Sequence, residues 1–253
     1  MKKILHLLLS AALIFTLTAC SQAPAETGSS HTQQEHPPET SDPSYQAPQI
    51  TELYHEDFDY TDAAGNRGHF TYRVPQIEAD TQGAKAINQA IADAYSPIVD
   101  EVLQNVSDQV SLSCLGVTWK SYPYENLLSL VVSGSWDADI SQYRVYLYDM
   151  AGGRQLTTAD LLKTLHVDET TFLEAVRRAA AEKFDAQYGA AAGEDSDELL
   201  AERRAWTLSD ANINLDVPAY ADASGTLHVV LPIGSIAGAD SYEQILTLDS
   251  IRE

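Results

Sequence analysis

Apolar and polar residues alternate through His69-Phe70-Thr71-Tyr72-Arg73-Val74, placing Phe70, Tyr72 and Val74 on one side. That period predicts a strand, with Pro75 as its end. Ile87, Ile91, Tyr95, Ile98 and Val102 recur at three- and four-residue steps and predict an amphipathic helix over 83–105. Pro97 within it predicts a kink or a break, because proline lacks the helical N–H. Residues 110–120 and 127–134 read as strands joined by the loop SYPYEN, and 143–150 reads as another, ended by Ala151-Gly152-Gly153. Thr158 is placed to cap a short helix through Leu162. Asp168 or Thr170 starts a longer helix, with Phe172, Val176, Ala180 and Phe184 on its apolar stripe. Residues 189–197 form an acidic loop, and a short helix follows near Leu199–Trp206. Ile213–Val217, Leu227–Ile233 and Glu243–Leu248 read as closing strands, with Ala223-Ser224-Gly225 turning the chain. Hairpins with intervening helices, lacking regular βαβ alternation, predict an α+β fold of mostly antiparallel sheets packed with two main helices.

Ahead of this patterned region the chain changes character twice. Residues 1–20, MKKILHLLLSAALIFTLTAC, carry Lys2 and Lys3 before a mostly apolar run from Leu5 to Leu17. The run is shorter than the ~20 apolar residues that span a bilayer and fits a secretory signal. It ends in Leu17-Thr18-Ala19-Cys20, which resembles the lipobox of bacterial lipoprotein precursors. That resemblance implies cleavage between Ala19 and Cys20 and a diacylglyceryl group on the Cys20 thiol. Two acyl chains anchor stably, since each buried CH₂ contributes about 0.8 kcal/mol. The expected address is the extracytoplasmic face of the cell membrane, held there by lipid. Residues 20–50 hold Ser, Thr, Gln, Glu and Pro with neither Lys nor Arg. Such a segment buries too little apolar surface to fold and reads as a tether with a reach of about 30 Å. Two lobes are expected beyond it, 51–136 and 137–253.

Charge narrows the partners. The 253-residue chain has a formal net charge of −22, and loss of residues 1–19 with their two lysines would make it −24. A surface so acidic repels nucleic acid and favours cationic partners. Cys114 is the one cysteine besides Cys20, so no disulfide within the lipidated chain is expected, and Cys114 reads as a small buried hydrophobe.

The patterned segments also resemble a family: the paired extracytoplasmic domains of unknown function in lysozyme-responsive anti-sigma factors, found also N-terminal to some peptidoglycan deacetylases. The matching runs are Tyr72–Ile77, Ile87–Ile91, Asn126–Val132, Tyr146–Met150 with Gly153, and Gln155–Leu162. The family's Gly-Ala-His segment reads Ser133-Gly134-Ser135-Trp136-Asp137-Ala138-Asp139 here. The resemblance implies ligands at the cell envelope, either cell-wall glycan (peptidoglycan) or a cationic protein such as lysozyme.

Candidate chemistry is sparse. The sequence contains no GxSxG, SxxK, HExxH, CxxC, Walker or GxGxxG motif. His55, His69, His166 and His228 are too scattered for a zinc site, so neither a metal nor a cofactor is expected. Asp57-Phe58-Asp59-Tyr60-Thr61-Asp62 with Gly65-Asn66 has a faint calcium-loop look, but its glycine is misplaced, and turn chemistry between two strands explains it better. Trp119, Tyr122, Tyr124, Trp136, Tyr143, Tyr146 and Tyr148 cluster along one stretch. Sheet packing accounts for most of them. Tyr122, Tyr124 and Trp136, read as loop residues, are the candidate binding aromatics. The sequence thus predicts a membrane-tethered binding or sensing module at the envelope, without catalytic residues. The alternative is an envelope glycan hydrolase built on a carboxylate pair.

Overall fold

The computed structural model describes residues 47–137, 140–189, 197–248 and 251. Ala19, Cys20 and the expected tether up to residue 46 lie outside them. The fold is α+β with predominantly antiparallel sheets.

A six-stranded sheet runs in the order β1 (Gln49–Thr61), β2 (Arg67–Glu78), β3 (Gly116–Tyr124), β4 (Leu127–Asp137), β5 (Ile140–Asp149), β6 (Arg154–Leu156). All neighbours are antiparallel except β2 and β3, which meet in parallel at Thr71–Gly116 and Tyr72–Val117. A parallel pair needs a crossover, and the helix α1 (Gln82–Asp108) supplies it. The first strand was not foreseen. Gln49 and Ile50, assigned to the tether, open it, and its partner continues through Pro75 instead of ending there. Pro75 is tolerated because it lies opposite the register shift between Glu52 and Tyr54, a bulge where ladder hydrogen bonds are interrupted. Asp57 and Asp59 lie within this hairpin, with His69 nitrogens at 2.6 and 3.0 Å, and Asp62 closes the turn by accepting from Ala64 and Asn66 N–H.

Helix α1 is continuous through Pro97, so of the expected kink or break the break does not occur. Pro97 is on the exposed side, so the Asp93 carbonyl it leaves without a partner faces solvent. The opposite stripe pins both halves: Ile87, Ile91, Val99 and Val102 are fully buried against Tyr72, Val74, Val117, Leu128, Leu130 and Val132. At about 1.5–3 kcal/mol for each large buried apolar side chain, this stripe outweighs one lost helical hydrogen bond. Cys114 joins the same core, just ahead of a strand that starts at Gly116 and not at 110.

Strands β3 and β4 meet at the two-residue turn Glu125-Asn126, with Glu125 at φ +50°. Residues on either side of position 136 pair along β4 and β5 in one sheet. The rest of the chain builds a second core. Thr157, one residue before the expected cap, closes a capping box with Asp160 at the start of α2 (Thr158–Thr164). Asp168 caps α3 (Glu169–Tyr188), which buries Phe172, Val176, Ala180 and Phe184. After α4 (Asp197–Thr207), residues 213–217 are irregular, and the strand expected there falls at β7 (Ala219–Ala221). With β8 (Leu227–Gly234) and β9 (Ser241–Leu248) it forms a three-stranded antiparallel sheet. Strand alternation splits that sheet's side chains. Leu227, Val229, Leu231, Ile233, Leu246 and Leu248 join the helical side chains in the core, and Tyr220, His228 and Ile245 take the other face.

Candidate functional site

The alternation in the large sheet decides where its aromatics go. Along β3, Val117 and Trp119 face α1, while Thr118, Lys120, Tyr122 and Tyr124 face the opposite way. On β4 and β5 that opposite face carries Val131, Ser133 and Tyr143. The small sheet covers only part of it. Between them lies a cleft of about 310 Å³, lined by Thr118, Lys120, Tyr122, Ser133, Tyr143, Tyr220 and Ile245 among others. This volume is at the lower end of the ~300–1,000 Å³ typical of small-molecule sites.

Three rings stack at its base. Tyr122 lies on Tyr220 at 5.5 Å with an 18° interplanar angle, and Tyr220 lies on His228 at 4.9 Å and 17°. Cross-strand pairing sets the second contact, since Tyr220 is directly opposite His228. His228 is clamped on both nitrogens: Nε2 is 3.2 Å from Asp222 Oδ2, and Nδ1 is 3.2 Å from the Thr247 hydroxyl. Asp222 also accepts from Ser224 Oγ and from the N–H groups of Ser224 and Thr226. These bonds, the Ser224 hydroxyl first, hold its carboxyl at a pKa of about 2. The charged turn thus fixes the imidazole, and the imidazole backs the tyrosine stack.

Tyr220 is 4 % exposed, yet its hydroxyl makes no hydrogen bond to the described residues. Burial first, then the neighbouring Tyr122, Asp222 and Tyr143 side chains, push its pKa up to about 12, so it remains a donor. The Tyr122 and Tyr143 hydroxyls are likewise without a hydrogen-bond partner among the described residues. Ser129 Oγ is also buried and unpartnered, on the same face and in register with Tyr122. Buried polar groups are ordinarily satisfied, and on this face Ser129 Oγ is the side-chain atom that is wholly buried without a partner among the described residues. The mouth carries Ile245, 38 % exposed, and the exposed Lys120, which makes no ion pair to the described residues. Glu243 accepts from the Tyr143 N–H at 2.6 Å, tying β9 to the free edge of β5 and fixing the width of the cleft beside Tyr143.

The three sequence candidates are not brought together. All three are strand residues and not loop residues, because the turn takes up only Glu125 and Asn126. Tyr122 enters the cleft. Tyr124 is half-buried against the second core at the end of the same strand. The Trp136 ring lies over Gly134, a position where even a Cβ would collide with it. Sequence reasoning missed Tyr143, Tyr220, Lys120 and Ser133 as site residues. Their common signal is only an alternating position in separate strands.

No family model matches the chain, and no curated protein matches it. Solved structures do. They are DUF3298 family proteins. One, from Pseudomonas aeruginosa PAO1, is 11% identical over 81% of this chain and 91% of its own, with a TM-score of 0.41. Another, from Bacteroides fragilis NCTC 9343, is 9% identical with the same coverages and a TM-score of 0.35.

Proposed function

We propose that the chain is a membrane-tethered extracytoplasmic binding module acting at the cell envelope, with its ligand in the cleft between the two sheets. The observation that carries this is a cleft lined by Tyr122, Tyr143 and Tyr220 beside the Tyr122–Tyr220–His228 stack, whose three phenol hydroxyls make no hydrogen bond to the described residues. A ligand with its own donors and acceptors would pair with them in place of solvent. The address rests on residues 1–20, where a short apolar run precedes Leu17-Thr18-Ala19-Cys20. No helix among the described residues is long and apolar enough to cross a membrane; the anchor in this reading is the lipid on Cys20.

Two measurements test it. Cys20→Ala should abolish palmitate labelling and move the protein out of the detergent phase; continued labelling refutes the anchor. For the site, the purified chain is incubated with a solubilised envelope digest, and the retained small molecules are identified by mass spectrometry. The control is Ser133→Trp, which fills the cleft from its floor. Retention by the parent chain and not by this variant is the expected result. Equal retention by both, or none by either, overturns the cleft as the binding site.

A further inference from the structure

We propose that the cleft takes a saccharide bearing a carboxylate, with the phenols against the sugar and Lys120 against its negative charge; this rests on the binding reading above. Three features of the site lead there. The first is the kind of surface presented. Tyr220 has a ring on each side, so it serves as a base. Tyr122 is stacked on Tyr220 at one face only, and it shares the cleft with Tyr143. An aromatic face suits the C–H face of a pyranose ring.

The second feature is the polar demand. Tyrosine hydroxyls at 122, 143 and 220 open on the cleft together with Thr118 and Ser133. A wholly apolar guest such as an acyl chain would bury these groups unsatisfied, which disfavours it. A sugar offers alternating hydroxyl donors and acceptors at a similar spacing and can satisfy several at once.

The third is charge. The chain has 15 Lys and Arg against 37 Asp and Glu, yet the charged residue lining this cleft is Lys120. Its ammonium is exposed and has no carboxylate partner among the described residues. The nearby carboxylates are occupied: Asp222 by Ser224, Thr226 and His228, and Glu243 by the Tyr143 N–H. A single ammonium beside aromatic and hydroxyl groups suits one carboxylate. A nucleotide polyphosphate would carry several negative charges against one lysine, and a cationic guest would be repelled.

The test uses a matched pair of sugars on the full chain, N-acetylmuramic acid and N-acetylglucosamine, which differ by a carboxylate-bearing lactyl ether. Saturation-transfer NMR and titration at low ionic strength read the binding. N-acetylmuramic acid should bind about tenfold more tightly, as expected for one charge-assisted contact. Lys120→Met should remove that preference by weakening N-acetylmuramic acid about tenfold, and Lys120→Arg should retain it. Tyr220→Phe should weaken both sugars about fivefold, since it removes one hydroxyl and no ring. Lys120 is exposed and the Tyr220 hydroxyl has no partner, so neither substitution threatens the fold. Equal binding of the two sugars, indifferent to Lys120→Met, overturns the carboxylate while leaving the binding reading intact. No binding of either sugar overturns the saccharide, and the envelope-digest experiment with Ser133→Trp then decides separately whether the cleft binds anything.

Discussion

Gly83 makes the joint between α1 and β6 testable with a single methyl group. It lies in the first turn of the helix, and its N–H donates to the Gly153 carbonyl at 3.0 Å. A Cβ built there would stand 2.5 Å from Arg154 Cα, Arg154 C and Gln155 N. All three are backbone atoms, so no side-chain rotation relieves the clash. The helix start or the strand must shift by about 1 Å to restore ordinary carbon contact of ~3.5 Å. Helix propensity alone would make Gly83→Ala stabilising by up to about 1 kcal/mol. Overpacking typically costs about 1–3 kcal/mol, and the rigid neighbours place this case at the upper end. The net expectation is a loss of about 1–2 kcal/mol, or roughly 2–8 °C in Tm for a domain of this size. Gly189→Ala is the control, because its Cβ would meet nothing within 4 Å and its φ is −59°. Urea unfolding followed by tryptophan fluorescence and far-UV circular dichroism compares the two. If Gly83→Ala is as stable as the parent or more so, the close approach of helix and strand is wrong.

Other expectations follow from caps, charges and unmet hydrogen bonds. Thr157→Ala removes a capping box in which Thr157 Oγ1 accepts from Asp160 N–H and Asp160 Oδ2 accepts from Thr157 N–H; it should cost about 1 kcal/mol in the same urea assay. Asp222 has a folded pKa of about 2, below the ~3.9 of an unfolded aspartate, so its contribution to stability is complete above pH ~4 and disappears as pH falls towards 2. Asp222→Asn should flatten the acid limb of the pH–stability curve, and an unchanged limb would refute the assignment. Ser129→Ala removes a buried hydroxyl without a partner and should leave stability unchanged or raised; a loss above ~1 kcal/mol would show that the hydroxyl is already bonded.

The sequence by itself determined the elements whose period is long and regular. The stripe of α1, the Phe172–Phe184 stripe of α3 and the β8–β9 hairpin are visible in it because each must bury one face. It determined the formal net charge of −22. What it left open depends on partners distant in the chain. Pro75 reads as a strand end and Pro97 as a kink or a break, and only the neighbouring bulge and the solvent-facing carbonyl show why the strand and the helix continue. The strand at Gln49–Thr61 was hidden because its acidic residues resemble turn chemistry until His69 and Arg73 are set opposite them. The cleft shows the same limit most clearly. Tyr122 and Tyr220 are 98 residues apart, and their stacking depends on how a three-stranded sheet settles on one face of a six-stranded one. Alternation assigns each tyrosine to a face of its own strand, but only tertiary packing decides which faces meet and which hydroxyls are left without a partner.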